Sequence, residues 1–131
     1  MDEGPWRILV ERTQEPLATR ATAARTLRER LTGLLGRSRL PEGEALVFPR
    51  CRSIHTIGMR FPIDAVFVDR GWRVVALRPE VRPGRLVPPV WSAWGVVETP
   101  SGTIAKSRVA MGDQLNVHPP ISCSTLWQNT A

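Results

Sequence analysis

The sequence predicts a mainly β fold: a small β-sandwich or open barrel with one packed α-helix and a proline-rich crossover loop. Three observations carry that expectation. Twelve prolines and ten glycines in 131 residues cut the chain into short pieces, which favours strands and turns over long helices. Residues 63–68 alternate, with Ile63, Ala65 and Phe67 on one face and Asp64, Val66 and Val68 on the other, as in a strand with at least one buried face. One segment alone, about Ala23 to Leu35, has convincing helical spacing. The chain is expected to form a single domain over 1–131, with a core of about 7–117 and a weakly structured tail over 118–131.

In chain order, Trp6 to Arg12 forms a first strand, which Pro16 ends, and a short linker follows. Thr22 caps the predicted helix, whose apolar stripe is Ala23, Leu27, Leu31 and Leu34 or Leu35. Its other face carries Arg25, Arg28, Glu29 and Thr32, and Gly36 supplies the stop. A turn at Pro41 to Glu44 leads into a short strand, Ala45 to Phe48, which Pro49 and Arg50 break. The central stretch, 51–69, starts polar at His55 and Thr56, and Pro62 suits the first residue of a strand or an edge position. Asp69-Arg70-Gly71-Trp72 has hairpin-turn chemistry, and Arg73 to Leu77 returns. Residues 78–93 hold Pro79, Pro83, Gly84, Pro88 and Pro89, so they are expected to cross irregularly, anchored by Leu86, Val87, Val90 and Trp91. Trp94 to Glu98 is a further strand, Ile104 to Val109 a short helical or extended segment, and 111–117 a turn into a closing strand.

Seventeen arginines and one lysine against twelve acidic residues give a net charge of +6. Such a balance can mark a nucleic-acid binder, but few aromatic residues interleave with the arginines as a stacking platform requires, so nucleic acid is disfavoured as a partner. No apolar run is long enough to span a membrane, and the acidic N-terminus lacks a signal-like apolar region, so a soluble cytoplasmic protein is expected. The two cysteines are then expected as thiols.

Arg30-Leu31-Thr32-Gly33-Leu34-Leu35-Gly36-Arg37, Ala45-Leu46-Val47-Phe48, the run from His55 to Asp69, Val97-Glu98 and Met111-Gly112-Asp113 together resemble the DUF192 family, small β-rich domains with no assigned function. Many relatives read Trp-Met-Lys-Asn-Thr where this chain has His-Thr-Ile-Gly-Met, so it looks like a His-Thr branch. The resemblance covers about residues 7–117. It implies a fold of mainly β-strands and no reaction.

The leading functional expectation is a binding module, with an unidentified small molecule or protein segment near His55, Thr56, Met59, Asp64 and Glu98. The rival is a hydrolase-like or thiol enzyme, in which His55 acts as base with Asp64, Glu98 or Cys51. Against both stands the plainer reading, in which Asp64 and Glu98 accept backbone hydrogen bonds and His55 is a satisfied, half-buried imidazole. No cofactor is expected. Cys51, His55, His118 and Cys123 make a legitimate zinc set by type, but neither pair has the tight C-x2-C spacing. Trp72, Trp91 and Trp94, with Arg78, Arg82 or Arg85, would suit an aromatic ligand with an anionic end, although core packing is the commoner use of such residues.

Overall fold

Period-2 apolar alternation organises the chain. The computed structural model describes residues 4–24 and 39–120. Among the described residues nine strands run in order: β1 (Trp6–Val10), β2 (Pro16–Ala23), β3 (Glu44–Pro49), β4 (Ile54–His55), β5 (Ile63–Val68), β6 (Val74–Val81), β7 (Leu86–Val87), β8 (Gly95–Pro100) and β9 (Leu115–His118). A short helix, α1 (Thr103–Ser107), lies between β8 and β9. Seven strands form one sheet in the order β6-β5-β8-β3-β2-β1-β9, and β4 and β7 form a separate ribbon. Neighbours are antiparallel except β2 and β3, whose connection passes through residues 25–38.

The sheet curls until its two edges meet at one end. Arg73, just before β6, bridges Gln114, just before β9. The Val74 amide donates to the Asp113 carbonyl at 2.8 Å, and the Leu115 amide to the Trp72 carbonyl at 3.0 Å. Of the two architectures expected, the open barrel is the one realised. The inner face collects apolar residues from all seven strands, among them Trp6, Ile8, Val47, Val66, Val97 and Leu115. The outer face of β5 and β8 buries Ile63, Ala65, Phe67 and Val96 beneath the ribbon and its flanks. Strand β5 is therefore buried on both sides, as its nearly continuous apolar sequence requires. Close packing extends to the backbone: a Cβ on Gly95 would stand 2.8 Å from the Phe48 carbonyl oxygen.

Two elements differ from the sequence expectation. Pro16 does not end a strand and open a linker; it is the first residue of β2, where a missing amide costs no ladder bond. Leu17, Ala18 and Ala21 reach the inner face, and irregular register against β1 hides the alternation. Thr22 and Ala23, read as the cap and start of a helix, pair instead with Leu46 and Val47. Residues 25–35 of that predicted helix lie outside the described residues. The crossover is also shorter than expected, because β6 continues through Pro79 to Val81. Strand β6 is at the sheet edge, which tolerates a residue without an amide proton. Within the crossover Val87 is an anchor, but Leu86 and Trp91 are 74% and 75% exposed.

The closing turn before β9 is held by charge. Arg12 donates through Nε to Asp113 Oδ1 at 2.8 Å and through Nη2 to Oδ2 at 3.0 Å, and the Ala110 amide donates to Oδ2 at 2.8 Å. The hydrogen bond from Arg12 leads in holding the Asp113 carboxyl below its ordinary value, against burial, which pushes it up. A carboxyl lowered in the folded state stabilises above its unfolded pKa, and that contribution is lost as pH falls through the lower, folded value. Wild-type protein is therefore expected to lose stability on acidification below about pH 4 more steeply than an Asp113→Asn variant. Urea unfolding at a series of pH values checks this, and parallel curves would show that the pair contributes nothing. Lys106 of α1 pairs with Glu42, tying the helix to the turn before β3.

Candidate functional site

Two concave surfaces flank a two-stranded arm built from residues 50–56 and 85–94. The Cys51 amide donates to the Trp94 carbonyl at 2.9 Å, and the Val90 amide to the Arg52 carbonyl at 2.8 Å. Ile54 then pairs with Val87 and His55 with Leu86, which completes the ribbon. Ile54 and Val87 point into the outer core, so alternation turns His55 and Leu86 away from it.

The residues singled out in the sequence occupy distinct places. Thr56 is buried and clamps the far end of the arm: its Oγ1 donates to the Arg82 carbonyl at 2.6 Å and accepts from the Arg85 amide at 2.9 Å. Its carbonyl also accepts from the Gly84 amide, at 2.9 Å, in a turn where Gly84 has φ 80°. Glycine adopts that conformation without steric cost. Met59 is buried in the outer core. Asp64 is buried on the inner face, where Oδ1 accepts from the Glu80 amide at 2.8 Å. Its Oδ2 accepts from the Gly102 and Ile104 amides, at 3.2 and 2.8 Å, so it holds the start of α1 against β5.

Asp64 and Glu98 do not converge. Ala65 lies directly opposite Glu98, and Asp64 opposite Thr99, which puts Glu98 on the outer face and Asp64 on the inner one. Glu98 is 1% exposed. His55 is half-buried beside an open groove, and the Cys51 thiol donates to the Ser53 carbonyl at 2.9 Å. His118 ends β9 at the sheet edge, and Cys123 lies outside the described residues. Among the described residues, no three His, Cys, Asp or Glu side chains are grouped to hold a metal.

Two cavities flank the arm. A groove of about 350 Å³ is lined by Ser53, Ile54, His55, Leu86, Val87 and Pro88, with Pro89 beside them. A larger cleft, about 580 Å³, is lined by Arg50, Arg52, Asp69, Arg70, Ser92 and Trp94, with Gly71 and Ala93 between them. Of the three tryptophans considered as a ligand cage, Trp72 and Trp94 pack edge to face at 5.9 Å in the inner core, and Trp91 is exposed. Arg78, Arg82 and Arg85 do not line this cleft. The arginines that do were missed in the sequence. Arg50 and Arg52 flanking Cys51 gave a local signal, but nothing local places Arg70 beside them.

No curated protein matches the sequence. Among solved structures, a protein of unknown function from Novosphingobium aromaticivorans superposes with a TM-score of 0.71 at 23% identity, covering 86% of this chain and 83% of that one. A protein from Sinorhizobium meliloti 1021, named a "putative transcription regulator", superposes with a TM-score of 0.72 at 16% identity, covering 86% of this chain and 91% of that one. At these identities the likeness is one of fold. Among the described residues, no helix is long and apolar enough to cross a membrane. The family model of DUF192, described as an "Uncharacterized ACR", matches residues 8–117, and the chain belongs to that family.

Proposed function

We propose that the chain is a binding module whose ligand, a short apolar segment of a partner protein, lies in the groove beside the β4–β7 ribbon. The observation that carries this reading is the pairing of Leu86, 74% exposed, with the half-buried His55 across the ribbon, above a rim of Pro88 and Pro89. An apolar side chain offered to solvent beside a few polar groups, here His55 and Ser53, is the composition of a recognition groove: burial supplies affinity and the imidazole fixes orientation. The prolines narrow the arm's conformational freedom, which lowers the ordering cost of binding. In the hydrolase-like or thiol alternative, His55 with Asp64, Glu98 or Cys51, the two carboxylates do not act together, because they face opposite sides of the sheet.

The test is a titration of isotope-labelled full chain with the capped peptide acetyl-Leu-Val-Leu-amide, followed by NMR. Amide shifts confined to Ile54, His55, Leu86 and Val87 are expected. They should vanish in His55→Ala and Leu86→Ser variants whose stability stays within about 0.5 kcal/mol of wild type. No shifts at millimolar peptide, or unchanged shifts in Leu86→Ser, would overturn the reading.

A further inference from the structure

The groove beside the β4–β7 ribbon has a cationic end. Past His55 and Leu86 the two strands of the arm are joined through Thr56, which binds the backbones of two arginines. The Thr56 amide donates to the Arg85 carbonyl at 2.9 Å, and its Oγ1 donates to the Arg82 carbonyl at 2.6 Å. These bonds use main-chain atoms of the arginines, and both residues are exposed. A third exposed arginine, Arg60, follows the turn in which the Met59 amide donates to the Thr56 carbonyl at 3.1 Å.

Little negative charge opposes them. Residues 45–63 and 81–97, which build the arm and its flanks, contain no Asp or Glu. Asp64 and Glu98, which border those runs, are buried in the sheet. Glu80 is the carboxylate nearest along the chain to Arg82 and Arg85. Among the described residues, the side chains of Arg60, Glu80, Arg82 and Arg85 join no ion pair. The apolar part of the same surface is open as well: Leu86 is 74% exposed, and Ile57, in the turn, 53%.

We propose that the segment bound in the groove is acidic as well as apolar, with apolar side chains against Leu86 and carboxylates on Arg82 and Arg85. This rests on the groove being the binding surface and adds the chemistry of its partner. Charge complementarity carries it: an arm without a carboxylate presents arginines at the end of an apolar groove. A guanidinium meets a carboxylate through two parallel N–H donors, so each such pair has a preferred geometry. Pairs at an exposed rim select the partner and speed its association more than they add affinity. An anionic lipid surface would match the charge, but Leu86 lines a concave groove, which suits a narrow segment better than a plane.

The test is an NMR titration of the full chain at about 50 mM salt with acetyl-Leu-Val-Leu-Glu-Glu-amide and acetyl-Glu-Glu-Leu-Val-Leu-amide, each beside its Gln-Gln counterpart. The tighter glutamate peptide should bind about fivefold better than its counterpart, and the ratio should fall below about twofold at about 500 mM salt. The preference should disappear in an Arg82→Gln, Arg85→Gln double variant. Both side chains are exposed, so a thermal melt should show that variant folded. Arg78→Gln, which removes an exposed arginine of β6 away from the groove, should keep the preference. Equal binding of the acidic and neutral peptides would overturn this inference and leave the groove reading standing, whereas no binding of any peptide would sink both. A preference lost equally in Arg78→Gln would mark diffuse charge and overturn the inference. So would acetyl-Gly-Gly-Gly-Glu-Glu-amide binding as well as the best peptide, since charge alone would then suffice. Sedimentation with phosphatidylglycerol vesicles, lost in the double variant, would overturn it in favour of a lipid surface.

Discussion

Replacing Asp64 with alanine is expected to lower the unfolding free energy by about 3–5 kcal/mol. Three backbone amides, those of Glu80, Gly102 and Ile104, donate to this one buried carboxylate. Each amide stranded without an acceptor costs about 1–3 kcal/mol, and the three lie on two elements, one in β6 and two at the start of α1. The loss is structural as well as energetic. Glu80 has φ 52°, and the hydrogen bond its amide donates to Asp64 helps to hold that left-handed backbone within β6. Asp64→Asn should fall in between, since one amide oxygen accepts on one side only and the amino group faces a donor on the other. Equilibrium urea unfolding measures both. A loss under about 1 kcal/mol for Asp64→Ala would show that the three amides find other acceptors, and would return Asp64 to the set of ligand-binding candidates.

Phe67→Ala is expected to cost a similar amount, about 3–5 kcal/mol. Phe67 is fully buried in the outer core, together with Ile54, Met59, Phe61 and Val87 from the arm and its flanks. Truncation removes the apolar contacts of a large ring and leaves a cavity beneath the arm, while the inner core on the other side of β5 keeps its own packing. Phe67→Leu fills most of that volume and should cost under about 1.5 kcal/mol. The cavity also predicts a spatial pattern in hydrogen exchange. The Thr56 and Gly84 amides, bonded within the arm, should lose more protection than the β1 and β2 ladder. Equal loss at both places would mean that arm and sheet open as one unit.

These two residues share one strand, on opposite faces, and their legibility in the sequence differs for a physical reason. Alternation along a strand is local, so the division of 63–68 into two faces could be read from the residues themselves. The same holds for the hairpin turn at 69–72, the strand at 45–48 and the family, whose marks are short runs of specific residues. Strand β2 was obscured because Thr19 and Arg20 interrupt its apolar pattern, and only pairing with β1 and β3 makes it a strand. The partners of a polar side chain were hidden for a stronger reason. Whether Asp64 and Glu98 meet depends on the register between β5 and β8, and a shift of one residue exchanges the faces. That register is set by packing across the whole sheet. Likewise Arg52 and Arg70 line one cleft because the arm folds back against the β5–β6 turn, a contact between segments far apart in sequence. Composition and period thus determined the fold class and the faces of the central strand. Tertiary structure alone decided which charges converge, because side-chain convergence is a property of register and loop packing, which no local pattern encodes.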